Sequence, residues 1–124
     1  MNKVILIGRV GTEPKSKTNY CQIRLAVDNK FRKKNGEMSK HTEWFNVVGF
    51  QDTGNNMTHT LGLGDLVKFE GSLQSSKYVD SNGTKRTSWS VIVQNFERVS
   101  QSKEEKNFEH LRIEGGNIYA RTRD

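Results

Sequence analysis

The chain has 124 residues, with 20 Lys and Arg side chains against 14 Asp and Glu, and it contains one cysteine. This length suits a single domain, and one cysteine excludes an intramolecular disulfide framework and a Cys₄ zinc site. No apolar run approaches the roughly 18 residues of a membrane-spanning helix, so we expect no membrane contact. The first residues lack the pattern of a signal or transit peptide, so we expect a reducing, cytoplasmic setting.

The excess positive charge is confined to part of the chain. Residues 1–99 hold 15 basic and 9 acidic side chains, whereas residues 100–124 hold five of each. A basic surplus favours a polyanionic partner, although a basic run is also typical of a solvated hairpin tip. Regular alternation of apolar residues stops near residue 100. We therefore predict one domain over residues 1–99 and a short mixed-charge tail over residues 100–124.

Most of the predicted elements are strands, because apolar and polar residues alternate with a period of two. The five alternating segments, in chain order, are Lys3–Val10, Cys21–Val27, Trp44–Phe50, Val67–Leu73 and Trp89–Val93. Cys21 alternates with apolar residues and is interpreted as a small buried hydrophobic residue. Trp89 also lies on an alternating strand face and is interpreted as structural.

The connections between these strands predict two hairpins and a helix. Asn35-Gly36 and Asn82-Gly83 each separate two extended segments, which is a strong hairpin signal because both residues of each pair accept positive φ. The stretch Gln51–Gly64 is the helix candidate, and its poor helix formers predict a short or irregular helix. The order predicts an all-β, five-stranded oligonucleotide/oligosaccharide-binding (OB) barrel with one short helix between strands 3 and 4. Pattern alone also allows a small sandwich.

Catalytic chemistry has little support in this sequence. Its three histidines are widely separated, it contains no P-loop, and Gly62-Leu63-Gly64 lacks the third glycine of a dinucleotide motif. Asp65 and Glu70 are conceivable nuclease carboxylates, but Glu70 alternates with apolar residues and is expected to face solvent. We predict no enzymatic activity, no catalytic residues, no metal site and no cofactor.

Aromatic and basic residues form a more informative pattern. Flat side chains that stack on exposed bases, beside Lys and Arg that contact phosphates, are what single-stranded nucleic acid requires. The candidate stacking residues are Phe31, Trp44, Phe50 and Tyr78. The candidate phosphate contacts are Lys30, Arg32, Lys33, Lys34, Lys40, Lys77, Lys85 and Arg86. Aromatic residues on strands are as often part of the core, so both interpretations of the four rings stay open at this point.

Several motifs resemble the bacterial and mitochondrial single-stranded DNA-binding protein (SSB) family over residues 2–99. They are Asn2–Gly11 with Glu13-Pro14, Gly36-Glu37-Met38, Thr42-Glu43-Trp44 leading into Val47-Val48, and Gly64–Val67 with Glu70–Leu73.

The resemblance implies an OB barrel that assembles as a homotetramer, a dimer of dimers, with the opening strand pairing two subunits. It implies sequence-independent binding and protection of single-stranded DNA in replication, recombination and repair, on the nucleoid. The family's stacking positions match the four aromatic residues above, and a family lysine matches Lys77.

Some positions depart from the family pattern. Asn46 and Ser76 stand where basic residues are frequent, and the first long loop is short. The tail lacks the acidic tip ending in Pro-Phe, so recruitment of partner proteins through such a tip is not expected. That ending suits a phage, plasmid or organellar member. Two alternatives stay open: an accessory protein-interaction subunit of a primosome-like assembly, and a binder of single-stranded RNA.

Overall fold

The computed structural model describes residues 1–102 of the chain. This part contains six strands and one helix. The elements are β1 (Val4–Val10), β2 (Lys15–Lys17), β3 (Tyr20–Arg32), β4 (Met38–Phe50), α1 (Gln51–Thr60), β5 (Leu66–Val79) and β6 (Lys85–Ser100). All five predicted strands and the short helix are present. The additional strand β2 was not predicted, because its exposed Lys-Ser-Lys sequence carries no apolar alternation.

The strands close into a five-stranded barrel. Their order is β1-β5-β6-β4-β3, and β1 returns to pair with β3 through Arg9 with Ala26 and Val10 with Leu25. Strands β4 and β6 run parallel, whereas the other neighbours are antiparallel. The helix lies between the third and fourth barrel strands, β4 and β5, and β2 adds an edge to β3. This order confirms the OB barrel and excludes the sandwich alternative.

The barrel interior collects the inward residues of every barrel strand. Its buried side chains are Val10, Cys21, Ile23, Leu25, Val47, Met57, Leu61, Val67, Phe69, Val91 and Val93. Cys21 is fully buried, as predicted, and desolvation raises the pKa of its thiol. On β4 the inward face carries Val47, so Trp44 and Phe50 point to the opposite, outer side of the barrel.

The helix covers one end of the barrel, and a buried carboxylate holds the loop that follows it. Asp65 accepts hydrogen bonds from the Gly62 N–H (2.9 Å) and the Ser102 N–H (3.0 Å), and its Oδ2 lies 3.9 Å from Arg98 Nη1. Glu70, which was expected to face solvent, is partly buried and lies 3.2 Å from Lys3 Nζ. Both carboxylates therefore have partners within the fold.

Two hairpin arms extend from the barrel. The first arm comprises residues 28–42 of β3 and β4, and the second comprises residues 74–90 of β5 and β6. Each arm ends in one of the two predicted Asn-Gly hairpins. Within each pair only the glycine takes positive φ, Gly36 at 89° and Gly83 at 80°, because it follows a type I turn as the bulge residue.

The regular structure extends slightly past residue 99. Strand β6 runs to Ser100, and Ser102 is buried against Asp65. The predicted tail from residue 103 onward lies outside the described residues. Within residues 1–102, no helix combines the length and the apolar character needed to cross a membrane.

Candidate nucleic-acid interface

The outward sides of β3, β4, β6 and β5 form one continuous surface, which we call the front face. The register places Val48 of β4 beside Ile92 of β6, and Ile92 opposite Ser72 of β5. Because alternate residues of a strand share one side, Trp44, Phe50 and Tyr78 all lie on the front face. Three of the four predicted stacking residues are therefore brought to one surface.

The three front-face rings are about half exposed, at 49% for Trp44, 47% for Phe50 and 51% for Tyr78. A ring in the core would be almost completely covered, as Phe69 is. These values exclude the core interpretation of the three rings, and their role in stacking remains a prediction. Each ring keeps enough free surface to stack on a planar ligand.

Trp44 has a defined seat on the front face. Ala26 lies opposite it on β3, and the indole reaches the backbone of Gly11, which follows β1. A Cβ placed on Gly11 would overlap Cζ3 of the indole and lie 2.8 Å from Cη2. The small residues at positions 11 and 26 therefore leave room for the indole to lie against the sheet.

Phe50 is supported by Tyr20, which sequence reasoning did not identify. The two residues are opposite each other in the register, and their ring centroids lie 5.7 Å apart at an interplanar angle of 59°. The Tyr20 hydroxyl donates to Gln22 Oε1 at 2.8 Å. Only its pairing with Phe50 across two strands reveals this role, and no local sequence pattern carries that signal.

A row of hydrogen bonds continues from Tyr20 across the front face. Gln22 Nε2 donates to Asn46 Oδ1 at 2.6 Å, and Asn46 Nδ2 donates to Ser90 Oγ at 2.7 Å. Beside this row lies a depression of about 300 Å³. Its lining residues are Tyr20, Asn46, Val48, Phe50, Gln74, Ser76, Ser88, Ser90 and Ile92. This row therefore presents neutral hydrogen-bonding groups, and Arg24, opposite Asn46 on β3, is an exposed cation beside it.

Four of the predicted phosphate contacts also lie on the front face by strand alternation: Lys30, Arg32, Lys40 and Arg86. Lys40 Nζ lies 3.8 Å from Asp28 Oδ2, and both side chains are exposed. Arg86 Nε donates to Asp80 Oδ2 at 2.9 Å. The hydrogen bond from Arg86, together with those from the backbone N–H groups of Thr84 and Asn82, lowers the pKa of Asp80. A phosphate group therefore competes with a carboxylate for two of the four cations.

The remaining predicted site residues lie elsewhere on the arms. Lys33 and Lys34 precede Asn35-Gly36 in the turn of the first arm. The side of each arm that continues the barrel interior is called the reverse face. Alternation places Phe31, Lys77 and Lys85 on it. The structure does not bring these side chains together with Trp44. The roles of these five residues as ligand contacts remain predictions.

Trp89 also lies on the reverse face, opposite Ser75 in the second arm. Its interpretation as a structural residue does not hold, because 58% of its surface is exposed. Trp89 shares its strand face with the buried Val91 and Val93, but it lies beyond the barrel, where the arm has no facing layer. Alternation alone cannot reveal where a strand leaves the core.

The described residues contain no cluster of three or more His, Cys, Asp or Glu side chains that could hold a metal ion. His41 Nε2 lies 3.0 Å from Glu43 Oε1, at an exposed site on the reverse face of the first arm. The only buried carboxylate in residues 1–102 is that of Asp65, whose two oxygens accept backbone hydrogen bonds.

A closed five-stranded barrel with a helix between its third and fourth strands defines an OB-fold protein, and this one carries exposed rings and cations on one outer face. The model of the Single-strand binding protein family matches residues 1–99. The chain therefore belongs to the single-strand binding protein family.

Individual relatives agree with this assignment. The chain is 32% identical over 97 residues to a single-stranded DNA-binding protein of Neisseria meningitidis serogroup A. The match covers 74% of this chain and 56% of that protein, so the chain spans little more than half the length of this curated relative.

Two solved structures share the fold. A Plasmodium falciparum SSB in complex with ssDNA has a TM-score of 0.71 at 26% identity, over 82% of this chain and 96% of the other. A small single-stranded DNA-binding protein from Streptomyces coelicolor has a TM-score of 0.65 at 24% identity, over 77% of this chain and 92% of the other.

Proposed function

We propose that this chain binds single-stranded DNA without sequence preference and protects it during replication, recombination and repair. The observation that carries the proposal is the placement of three half-exposed rings, Trp44, Phe50 and Tyr78, on one face of an OB barrel. Membership of the single-strand binding protein family and the ssDNA complex of the Plasmodium relative support it. The proposed role involves no catalysis and no cofactor, and the proposed site of action is the nucleoid.

The proposed mechanism combines base stacking with phosphate neutralisation. Every base has a flat face, so stacking on a ring tolerates any sequence and contributes about 1–3 kcal/mol per base. A duplex conceals those faces, so exposed rings favour single strands. If the four predicted phosphate contacts on the front face each neutralise one phosphate, the affinity should fall with a log–log salt slope of about −2.8, since each contact contributes about −0.7.

We also propose that the protein is a homotetramer, a dimer of dimers, with β1 at the contact between subunits. One edge of β1 pairs with β5 along its length, while the other edge pairs with β3 only at Arg9 and Val10. Ile5 and Ile7 are exposed on this strand, at 51% and 52%. An open strand edge beside exposed isoleucines is suited to pairing with the same strand of a second copy.

The direct test is the affinity of Trp44 variants for a labelled oligo-dT. Trp44→Ala should weaken binding by about 5- to 150-fold, the equivalent of one stacked base. Trp44→Phe is the matched control, because it keeps a ring in the same seat and should retain most of the affinity. Equal affinity of the wild type and a folded Trp44→Ala protein would contradict the proposed site.

Competition extends this test to the nature of the ligand. Unlabelled oligo-dT should displace the probe at lower concentration than a duplex of the same length. Stronger displacement by an RNA of the same sequence would reassign the protein as an RNA binder.

A further inference from the structure

The second arm carries an exposed patch on its reverse face that the proposed front-face site does not use. Trp89 is its largest side chain and is more exposed than any of the three front-face rings. Val79, on the same side of the arm, is 63% exposed, and Leu73, just before the arm on the same side of β5, is 40% exposed. An exposed tryptophan on a regular strand forgoes the burial that normally stabilises such a residue, so its exposed surface needs an explanation.

The charges around Trp89 indicate the chemistry of the ligand. Lys77 lies opposite Thr87, and Lys85 lies opposite Val79, so alternation puts both lysines on the same side as Trp89. That side of the arm carries no acidic side chain. The one acidic residue of the arm, Asp80 at the turn, is bound to Arg86 of the front face and to two backbone N–H groups. The patch therefore combines one flat ring with two cations.

The shape of the arm makes the reverse face accessible from the front face. Strand β6 pairs with β4 only through Val91 and Ile92, so the arm beyond this point is two strands wide. Tyr78 and Trp89 lie on opposite sides of this ribbon. Ser75, the partner of Trp89, precedes Tyr78 by three residues, a distance of about 10 Å along the strand. A flexible strand that leaves Tyr78 can pass round the edge of the ribbon to Trp89.

We propose that Trp89 is a second stacking platform for single-stranded DNA, with Lys77 and Lys85 contacting the flanking phosphates. This inference rests on the proposed function and extends its footprint from the front face to the reverse face of the second arm. The reverse-face contact requires a strand long enough to occupy both sides. It therefore contributes to the binding of long oligonucleotides and not of short ones.

The two tryptophans of the chain allow each face to be observed separately. Trp89→Phe leaves Trp44 as the only indole, and Trp44→Phe leaves Trp89 as the only indole. Both full-length variants are titrated with oligo-dT at lengths from about 4 to about 16 nucleotides, the range of site sizes known for OB folds. We expect Trp44 emission to be quenched at every length that binds, and Trp89 emission to be quenched only at the longer lengths.

The titrations distinguish the failure of this inference from the failure of the proposed function. Quenching of Trp44 without any quenching of Trp89 overturns the reverse-face platform and leaves front-face binding intact. Absence of quenching at both indoles overturns the proposed function and this inference together. A Trp89 indole that is shielded from acrylamide before DNA is added, and unchanged by DNA, assigns the patch to a protein contact and overturns the inference.

Affinity measurements give an independent test. Trp89→Ala should weaken binding of the longest oligo-dT at least fivefold and leave the shortest unaffected, whereas Trp89→Phe should retain the affinity. Ser75→Ala is the matched control on the same face. Replacing Lys77 and Lys85 together by Ala should reduce the salt slope for the longest oligonucleotide by about 1.4. An unchanged slope and affinity for the longest oligonucleotide would overturn the proposal.

Discussion

The seat of Trp44, formed by Gly11 and Ala26, provides a sharp test of the proposed DNA binding, because it can be altered without changing the indole itself. Gly11 does not take a positive φ, so its backbone conformation accepts alanine. The added Cβ would lie 2.8 Å from Cη2 and closer still to Cζ3. Carbon atoms pack at about 3.5–4.0 Å, so the indole must move by more than about 0.7 Å.

Gly11→Ala should therefore weaken DNA binding by displacing the stacking ring. A partly misplaced ring should lose roughly 1 kcal/mol of the 1–3 kcal/mol that a stacked base contributes, or about fivefold in affinity. The new Cβ also lies 3.3 Å from the Arg24 carbonyl oxygen, a tight contact that we expect to change stability little. The assay is fluorescence anisotropy of a labelled oligo-dT, with thermal melting to verify the fold.

A double-mutant cycle isolates the cause of the effect. In a Trp44→Ala background there is no indole for the new methyl group to displace, so Gly11→Ala should have no further effect on affinity. The same fivefold loss in both backgrounds would refute the reasoning. It would show that Gly11 acts through the backbone near Arg24 instead.

Three other features lead to further predictions. Replacing Ile5 and Ile7 together by lysine should lower the molar mass in light scattering, because two charges then flank the open edge of β1. An unchanged mass would exclude β1 as the subunit contact. Deleting residues 103–124 should leave oligo-dT affinity unchanged, whereas a deletion that also removes Ser102 should lower the melting temperature. Asp65→Ala should reduce the free energy of unfolding by roughly 3 kcal/mol in urea titrations, because two N–H groups lose their acceptor. A loss below about 0.5 kcal/mol would mean that water replaces the carboxylate.

The sequence by itself determined the order of elements and the identity of the core strands. A period of two in segments such as Cys21–Val27 and Val67–Leu73 is a local property, and burial of one face of a strand imposes it. The same local reasoning located both hairpins and the short helix. It failed at β2, which is too short and too polar to show a period.

Only the tertiary structure decided which side chains share a surface. Trp44 and Trp89 both alternate with core residues, but the first faces outward across Gly11 and the second lies beyond the barrel on an arm. Phe50 meets Tyr20 only through the pairing of β3 with β4. A strand has two equivalent sides, and the direction in which each one faces depends on barrel closure and on where the strand leaves the barrel. Those are long-range contacts, which no local pattern encodes.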